Sequence, residues 1–233
     1  MKAMILAAGL GKRMRPLTDH TPKPLLKVAG RYLIEFHIER LANSGIKDIV
    51  INTHWLGEQL PDALGDGSRW AVTIHYLNEE VLLETAGGIQ AALPLLSDGE
   101  QPFLVVNGDV YTEMDLALWL ESLPALNPQT LAYLALVKNP DHNKQGDFCY
   151  DVQTSRLSLF GDVLPAYTYS GIALFHPHLF ENVKAGPSPL GPLLKEYIDR
   201  QQVLGGLISD YWLDVGTPER LTELKERLAI NSV

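Results

Sequence analysis

The chain has 233 residues, 46% of them hydrophobic, with 28 Asp+Glu against 19 Lys+Arg and a formal net charge of −9. That length and apolar content suit one sizeable packed domain, residues 1–233, and the acidic balance excludes a nucleic-acid or membrane surface, which needs basicity spread over a face. No apolar run approaches the roughly 18 residues of a bilayer span, and a single cysteine, Cys149, excludes an internal disulfide.

The elements alternate strand and helix in chain order, the pattern of an α/β fold. "AMILAAG" is a short apolar run that reads as a covered central strand. Charges follow it at once with no small-residue cleavage site, so it is not a signal peptide and the protein is placed in the cytoplasm. "YLIEFHIERLANSG" carries Leu33, Ile34, Ile38 and Leu41 at helical spacing and stops near Gly45. "DIVINT" is a second strand, "WLGEQLPDAL" a short helix interrupted around Pro61, and "VTIHYL" a third strand. "TAGGIQAALPLL" is a helix with glycines in its first turn, and "FLVVNGD" and "TLAYLALVKN" are further strands. From about residue 138 to 167, short alternating runs and many turn residues predict a β-rich excursion, a hairpin forming one wall of a site. "YTYSGIALF" returns as a strand, and two amphipathic helices, "LGPLLKEYIDRQ" and "PERLTELKERLAI", flank "VLGGLISDYWLDVG". The expected fold is α/β and Rossmann-like: a mixed, mostly parallel central sheet flanked by helices.

Against this acidic background one loop stands out. Lys12, Arg13, Arg15 and Lys23 fall within Leu6–Pro24, with Asp19 the one acid opposing them. A local cation cluster in an acidic chain points to a specific anion. Gly9 and Gly11 allow close backbone approach after a first strand, where α/β folds bind phosphate. A Walker loop needs G-x-x-x-x-G-K-[ST], and here Gly9 and Gly11 are too close and Lys12 precedes Arg13. A dinucleotide fingerprint needs a third glycine where Met14 stands, and an acid ending the second strand where the chain has "NTH". What remains is a glycine turn with separate cations: Arg13 as a planar fork, and Lys23 as a point charge stiffened between Pro22 and Pro24.

"LAAGLGKRMRPLTDHTPKPLLKVAG", with "ETAGGI", "VVNGDV", "QGDF", "YSGIALF" and "WLDVGTPE", resembles the sugar-1-phosphate nucleotidyltransferases, or NDP-sugar pyrophosphorylases. The resemblance implies a nucleoside triphosphate and a sugar 1-phosphate as ligands, and a monomer or small homo-oligomer. It implies that Arg13 and Lys23 hold the triphosphate, that Leu6, Ala8, Gly9, Gly11, Lys12 and Asn107 line the nucleotide, and that Gly87 and Gly88 lie against the base.

Asp109 stands just past the carboxyl end of a buried strand, where open α/β sheets bind ligands, and Asp214 stands in a similar setting; neither has a cation-rich partner nearby in sequence. Asp109 can equally cap a helix starting near Met114, and Asp214 can be a turn residue. The resemblance makes them a pair of Mg2+ ligands, in keeping with an ion held by one or two carboxylates plus phosphate oxygens. With Arg13 and Lys23 they are the expected catalytic residues. No general base is required, because a sugar phosphate with a second pKa of about 6 is already largely ionised. No G-x-S-x-G occurs and the seven His lack zinc-type spacing; "HPH" reads as the start of a helix.

For the sugar, the resemblance leaves Asn107, Gly146, Asp147, Ser170 and Gly171, each of them also a common turn former or strand residue. Many relatives carry a Glu-Lys-Pro after the excursion whose lysine meets the sugar phosphate; here the region reads "FGDVLPAYTYSG" and has neither charge. "LGDGSRW", "ETAGGI", "VNGDV" and "QGDF" most resemble the branch that transfers uridylyl from UTP to N-acetylmuramate 1-phosphate in cell-wall recycling. The alternatives are another hexose-1-phosphate nucleotidyltransferase using dTTP, GTP or CTP, and a non-catalytic sugar-nucleotide-binding protein.

Overall fold

The structure is a computed structural model and describes residues 1–159 and 164–230. The "FGDV" portion of the segment that departs from Glu-Lys-Pro lies outside the described residues. One nine-stranded sheet forms the centre. Its first half is parallel: β1 (Ala3–Leu6) lies between β4 (Asp48–Thr53) and β6 (Phe103–Asn107), and β5 (Thr73–Asn78) adds beyond β4. A short β2 (Lys27–Val28) and β3 (Arg31–Tyr32) form a separate antiparallel ribbon.

The long strand β11 (Ala166–Phe175) runs antiparallel between β6 and β8 (Ala132–Val137), and β12 (Val203–Leu207) pairs parallel with β8. The expected excursion is a hairpin, β9 (Phe148–Asp151) and β10 (Arg156–Ser158), but it is not detached from the sheet. β10 pairs with β12, while β9 also pairs with the first residues of β11. This curls the sheet back on itself and builds a concave wall. A register shift between Tyr169 and Ala173 marks the bend, as a bulge does. A second small sheet joins β7 (Val110–Thr112) to β13 (Trp212–Asp214).

Six helices flank these strands among the described residues: α1 (Leu33–Asn43), α2 (Gln59–Leu64), α3 (Glu84–Leu96), α4 (Leu116–Ser122), α5 (Leu190–Asp199) and α6 (Pro218–Ile230). Side chains alternate across the parallel strands. Met4, Val50 and Val105 join the core under α3 and α5, while Ile5, Ile51 and Val106 join the core under α1, α2 and α4. Both faces are covered, which explains the continuous apolar runs. A third cluster seats α6 through Leu221 and Leu224 against Met14 and Leu213. Two expectations are corrected. Pro61 does not interrupt α2; it occupies the first turn, where the missing N–H has no helical partner to lose. The helix expected near Met114 starts at Leu116 with Asp115 as its cap, so Asp109 caps no helix. "HPH" does open a short 3-10 turn, capped by His176.

Candidate active site

Because β4, β1 and β6 are parallel and in register, their carboxyl ends finish level: Leu6 pairs with both Asn52 and Asn107. A cavity of about 350 Å³ opens there, walled by Leu6–Gly9, Lys23, Asn52, Glu79, the first turn of α3, Asn107 and Asp109. Asn52 fixes this wall. Its Oδ1 accepts from the Ala7 N–H at 2.8 Å and its Nδ2 donates to the buried Glu79 at 2.7 Å. Glu79 in turn accepts from the Leu83 N–H at 2.9 Å, at the entry to α3. Downstream, Gly11 adopts φ +60° with its missing Cβ closed off by Thr18 at 2.9 Å. The Thr18 hydroxyl donates to the Gly11 carbonyl, and Trp55 Nε1 donates to the Thr18 carbonyl. The loop is thereby folded back, leaving Lys12 and Arg13 exposed beyond the cavity. Pro22 and Pro24 are buried around Lys23, whose side chain is only 11% exposed.

The β7–β13 ribbon makes the backbones of the two predicted acids neighbours. Asp214 pairs with Val110, next to Asp109, and the Val215 N–H donates to the Asp109 carbonyl at 2.8 Å. Though neither acid has a cation-rich partner nearby in sequence, each has a cation in space. Lys23 Nζ donates to Asp109 Oδ2 at 2.6 Å, and Arg220 Nη1 donates to Asp214 Oδ2 at 2.9 Å. Lys23 is 86 residues from Asp109, a separation that hides the pair from sequence. Burial raises the Asp109 pKa, but the charge and hydrogen bond of Lys23 outweigh it and hold the carboxyl below its ordinary value. His142 Nε2 lies 3.5 Å from Asp214 Oδ2, and Asp214 Oδ1 is buried with no partner. A Cβ at Gly216 would stand 2.9 Å from that oxygen and 3.1 Å from an Arg13 nitrogen, so Arg13 reaches the same corner. Among the described residues, no group of three or more His, Cys, Asp or Glu could hold a metal unaided. An orphaned Asp214 oxygen beside Asp109 fits an ion whose remaining ligands are phosphate oxygens.

A second cavity, about 510 Å³, adjoins the first; Glu84, Thr85 and Asn107 belong to both walls. Its other sides are the entry to the hairpin (Gly146, Asp147, Phe148), Tyr169, and α5 from Leu190 through Lys195 with Pro189 before it. Asp147 lines it with both oxygens engaged: Oδ1 accepts from Asn143 Nδ2 at 3.0 Å and Oδ2 from the Tyr169 N–H at 2.8 Å. Ser170 and Gly171 stand behind the wall. Ser170 is buried and its carbonyl accepts from Trp212 Nε1, and a Cβ at Gly171 would lie 2.7 Å from Asn107 Nδ2. Gly87 and Gly88 are also behind the surface. Gly87 meets the 186–188 segment, and Gly88 meets Glu79 and Asn52.

Residues 2–230 match the family model of nucleotidyl transferases. The chain is 50% identical over 226 residues to an N-acetylmuramate alpha-1-phosphate uridylyltransferase from Neisseria meningitidis, covering 96% of each. The chain belongs to the nucleotidyl transferase family. An N-acetylmuramate alpha-1-phosphate uridylyltransferase from Caulobacter vibrioides is 31% identical, covering 97% of this chain and 96% of that one. A Bacillus anthracis structure holding sucrose superposes with a TM-score of 0.82 at 22% identity, over 97% of this chain and 94% of that one, and shows the shared fold.

For this nucleotidyl transferase, residues absent from the sequence reading now stand in or beside the cavities: Asn52, Glu79, Glu84, Thr85, Arg220 and Lys195. Asn52 and Glu79 carried one available signal. Both are polar residues at or just past the ends of strands β4 and β5, the side of a parallel sheet where ligands bind.

Proposed function

We propose that the protein transfers the uridylyl group of UTP to N-acetylmuramate α-1-phosphate, releasing pyrophosphate, as one catalytic domain acting in the cytoplasm as a monomer or small homo-oligomer. The observation that carries this reading is the half-identical relative of that name, aligned over nearly the whole of both chains. The twin cavities support it chemically. One is edged by Lys23 and Asp109, and the other mixes apolar walls (Phe148, Leu190, Leu194) with Asp147 and Lys195, with Asn107 shared by both. A phosphate oxygen of the sugar attacks the α-phosphorus; that phosphorus loses its bond to the oxygen bridging to the β-phosphate, and pyrophosphate departs with that electron pair. Both reactants are anions, so the protein's task is to align them and offset the developing charge. Lys23 and Arg13 hold the triphosphate, and the backbone from Leu6 to Gly9 packs against the nucleotide. Asp109 and Asp214 would hold a Mg2+ ion, which supplies charge neutralisation between the two phosphates. Asn107 separates nucleotide from sugar and hydrogen-bonds the latter, while Asp147 keeps the hairpin wall in place. None of the helices among the described residues is long and apolar enough to cross a membrane. The test is pyrophosphate release with UTP and N-acetylmuramate α-1-phosphate; no release with magnesium present would reject the assignment.

A further inference from the structure

The second cavity contains one cation, Lys195, on the inner turn of α5. Lys195 makes no ion pair or hydrogen bond among the described residues, although two acids, Glu84 and Asp147, share the same wall. Asp147 cannot turn toward it without releasing Asn143 and the Tyr169 N–H. Neither Asp109, Asp214, Arg13 nor Lys23 lines this cavity, so Lys195 stands away from the corner where phosphate chemistry is placed. Next to it, a Cβ at Gly191 would meet nothing within 4 Å, which leaves room for a substituent projecting from a sugar ring. A lone cation lining a roomy, otherwise neutral or acidic cavity selects a ligand with an anion remote from its reacting phosphate.

We propose that Lys195 recognises the lactyl carboxylate of the acceptor sugar and so discriminates N-acetylmuramate 1-phosphate from sugar phosphates that lack an acid. This rests on the reading that the acceptor is that sugar. The carboxylate hangs from the ring through an ether, on the side of the sugar away from the anomeric phosphate. Lys195 is exposed, so the contact is screened by salt and discriminates by about tenfold rather than by several powers of ten.

The experiment uses calorimetric titration of N-acetylmuramate α-1-phosphate and of its carboxamide, with a saturating non-hydrolysable UTP analogue present. The proteins are the wild type, Lys195→Gln and Lys195→Arg, each checked for unchanged melting. The wild type and Lys195→Arg bind the acid about tenfold more tightly than the amide, equivalent to about 1.4 kcal/mol. In Lys195→Gln the two ligands bind alike. Three outcomes overturn the proposal: no acid–amide gap in the wild type, a gap that survives in Lys195→Gln, or an equal loss for both ligands. The last would place Lys195 on the anomeric phosphate. Wild-type turnover of UTP with N-acetylmuramate α-1-phosphate is measured alongside. Absent turnover rejects the acceptor itself and Lys195's role with it, whereas turnover with an unmoved gap rejects only Lys195.

Discussion

Replacing Gly87 with alanine places a methyl group 2.3 Å from the Gly186 carbonyl oxygen and 3.2 Å from the Ser188 nitrogen. Ordinary contact needs about 1 Å more than the shorter of these. Both neighbours are backbone atoms, so no side chain can swing aside; the segment carrying Gly186 and Ser188 must move. That segment is tied to α3 by three hydrogen bonds. The N–H groups of Ala86 and Gly87 donate to the Ser188 carbonyl at 2.9 and 3.1 Å, and the Ser188 N–H donates to the Leu83 carbonyl at 2.9 Å. The first two satisfy first-turn donors that a helix cannot satisfy internally. Their loss costs about 1 kcal/mol each, while alanine in a helix returns about 1 kcal/mol. The expected net loss is about 2 kcal/mol, or about 4–8 °C in Tm for a chain of this size. The same segment leads into Pro189 and Leu190 of the second cavity, so the KM for the sugar phosphate rises more than that for UTP. Thermal melting by circular dichroism and initial rates of pyrophosphate release read both effects. A variant that melts at or above the wild-type temperature with both KM values unchanged would refute the close packing argued for Gly87.

Asp109→Ala and Asp214→Ala each abolish turnover while circular dichroism stays native; near-normal rates in saturating magnesium would remove either residue from the metal pair. Arg13→Ala lowers kcat by about 100- to 1,000-fold, the scale for a lost donor to transition-state charge, with a smaller change in KM; a KM effect alone would mean ground-state binding only. The Asp109–Lys23 pair stabilises the fold above the ordinary carboxyl pKa of 3.8 and loses that effect as pH falls through the lower folded value. The stability gap between the wild type and Asp109→Asn, followed by urea unfolding, is therefore full at pH 6 and closes below pH 3.8; a gap independent of pH would contradict the pairing. His37 is buried, and burial together with Arg40 lowers its pKa from 6.5 to about 3. The unfolded chain binds the proton first, so stability falls between pH 6.5 and about 3, by up to about 1.4 kcal/mol per pH unit. His37→Gln, first checked for native circular dichroism, shows a shallower slope over that range, and an identical slope would argue against a neutral buried His37.

Legibility from sequence followed the range of the interactions. β1, α1, β4, β6 and α6 were readable because continuous apolar runs and helical spacing are local. So were the glycine turn at Gly11 and the proline-held Lys23, whose constraints lie within one or two residues. The β7–β13 ribbon was not, because its register joins residues about a hundred positions apart. The resemblance paired Asp109 with Asp214, but nothing local showed the ribbon that joins them or their cations, Lys23 and Arg220. The hairpin at 148–158 was foreseen as a β-rich wall, yet its pairing with both β11 and β12 depends on strands elsewhere in the chain. Gly87 and Gly88 were singled out by the resemblance, but the backbone of Gly186 and Ser188 and the side chains of Glu79 and Asn52 that close on them lie outside α3. Lys195 carried no sequence signal. An exposed lysine on an amphipathic helix looks like any solvated residue until the fold turns it onto a cavity.

The most direct test is pyrophosphate release across a matrix of UTP, dTTP, GTP and CTP against N-acetylmuramate, N-acetylglucosamine, glucose and mannose 1-phosphates, with magnesium present. The account predicts the highest kcat/KM for UTP with N-acetylmuramate α-1-phosphate. A preference for glucose 1-phosphate, or for another nucleotide with any sugar, would contradict it.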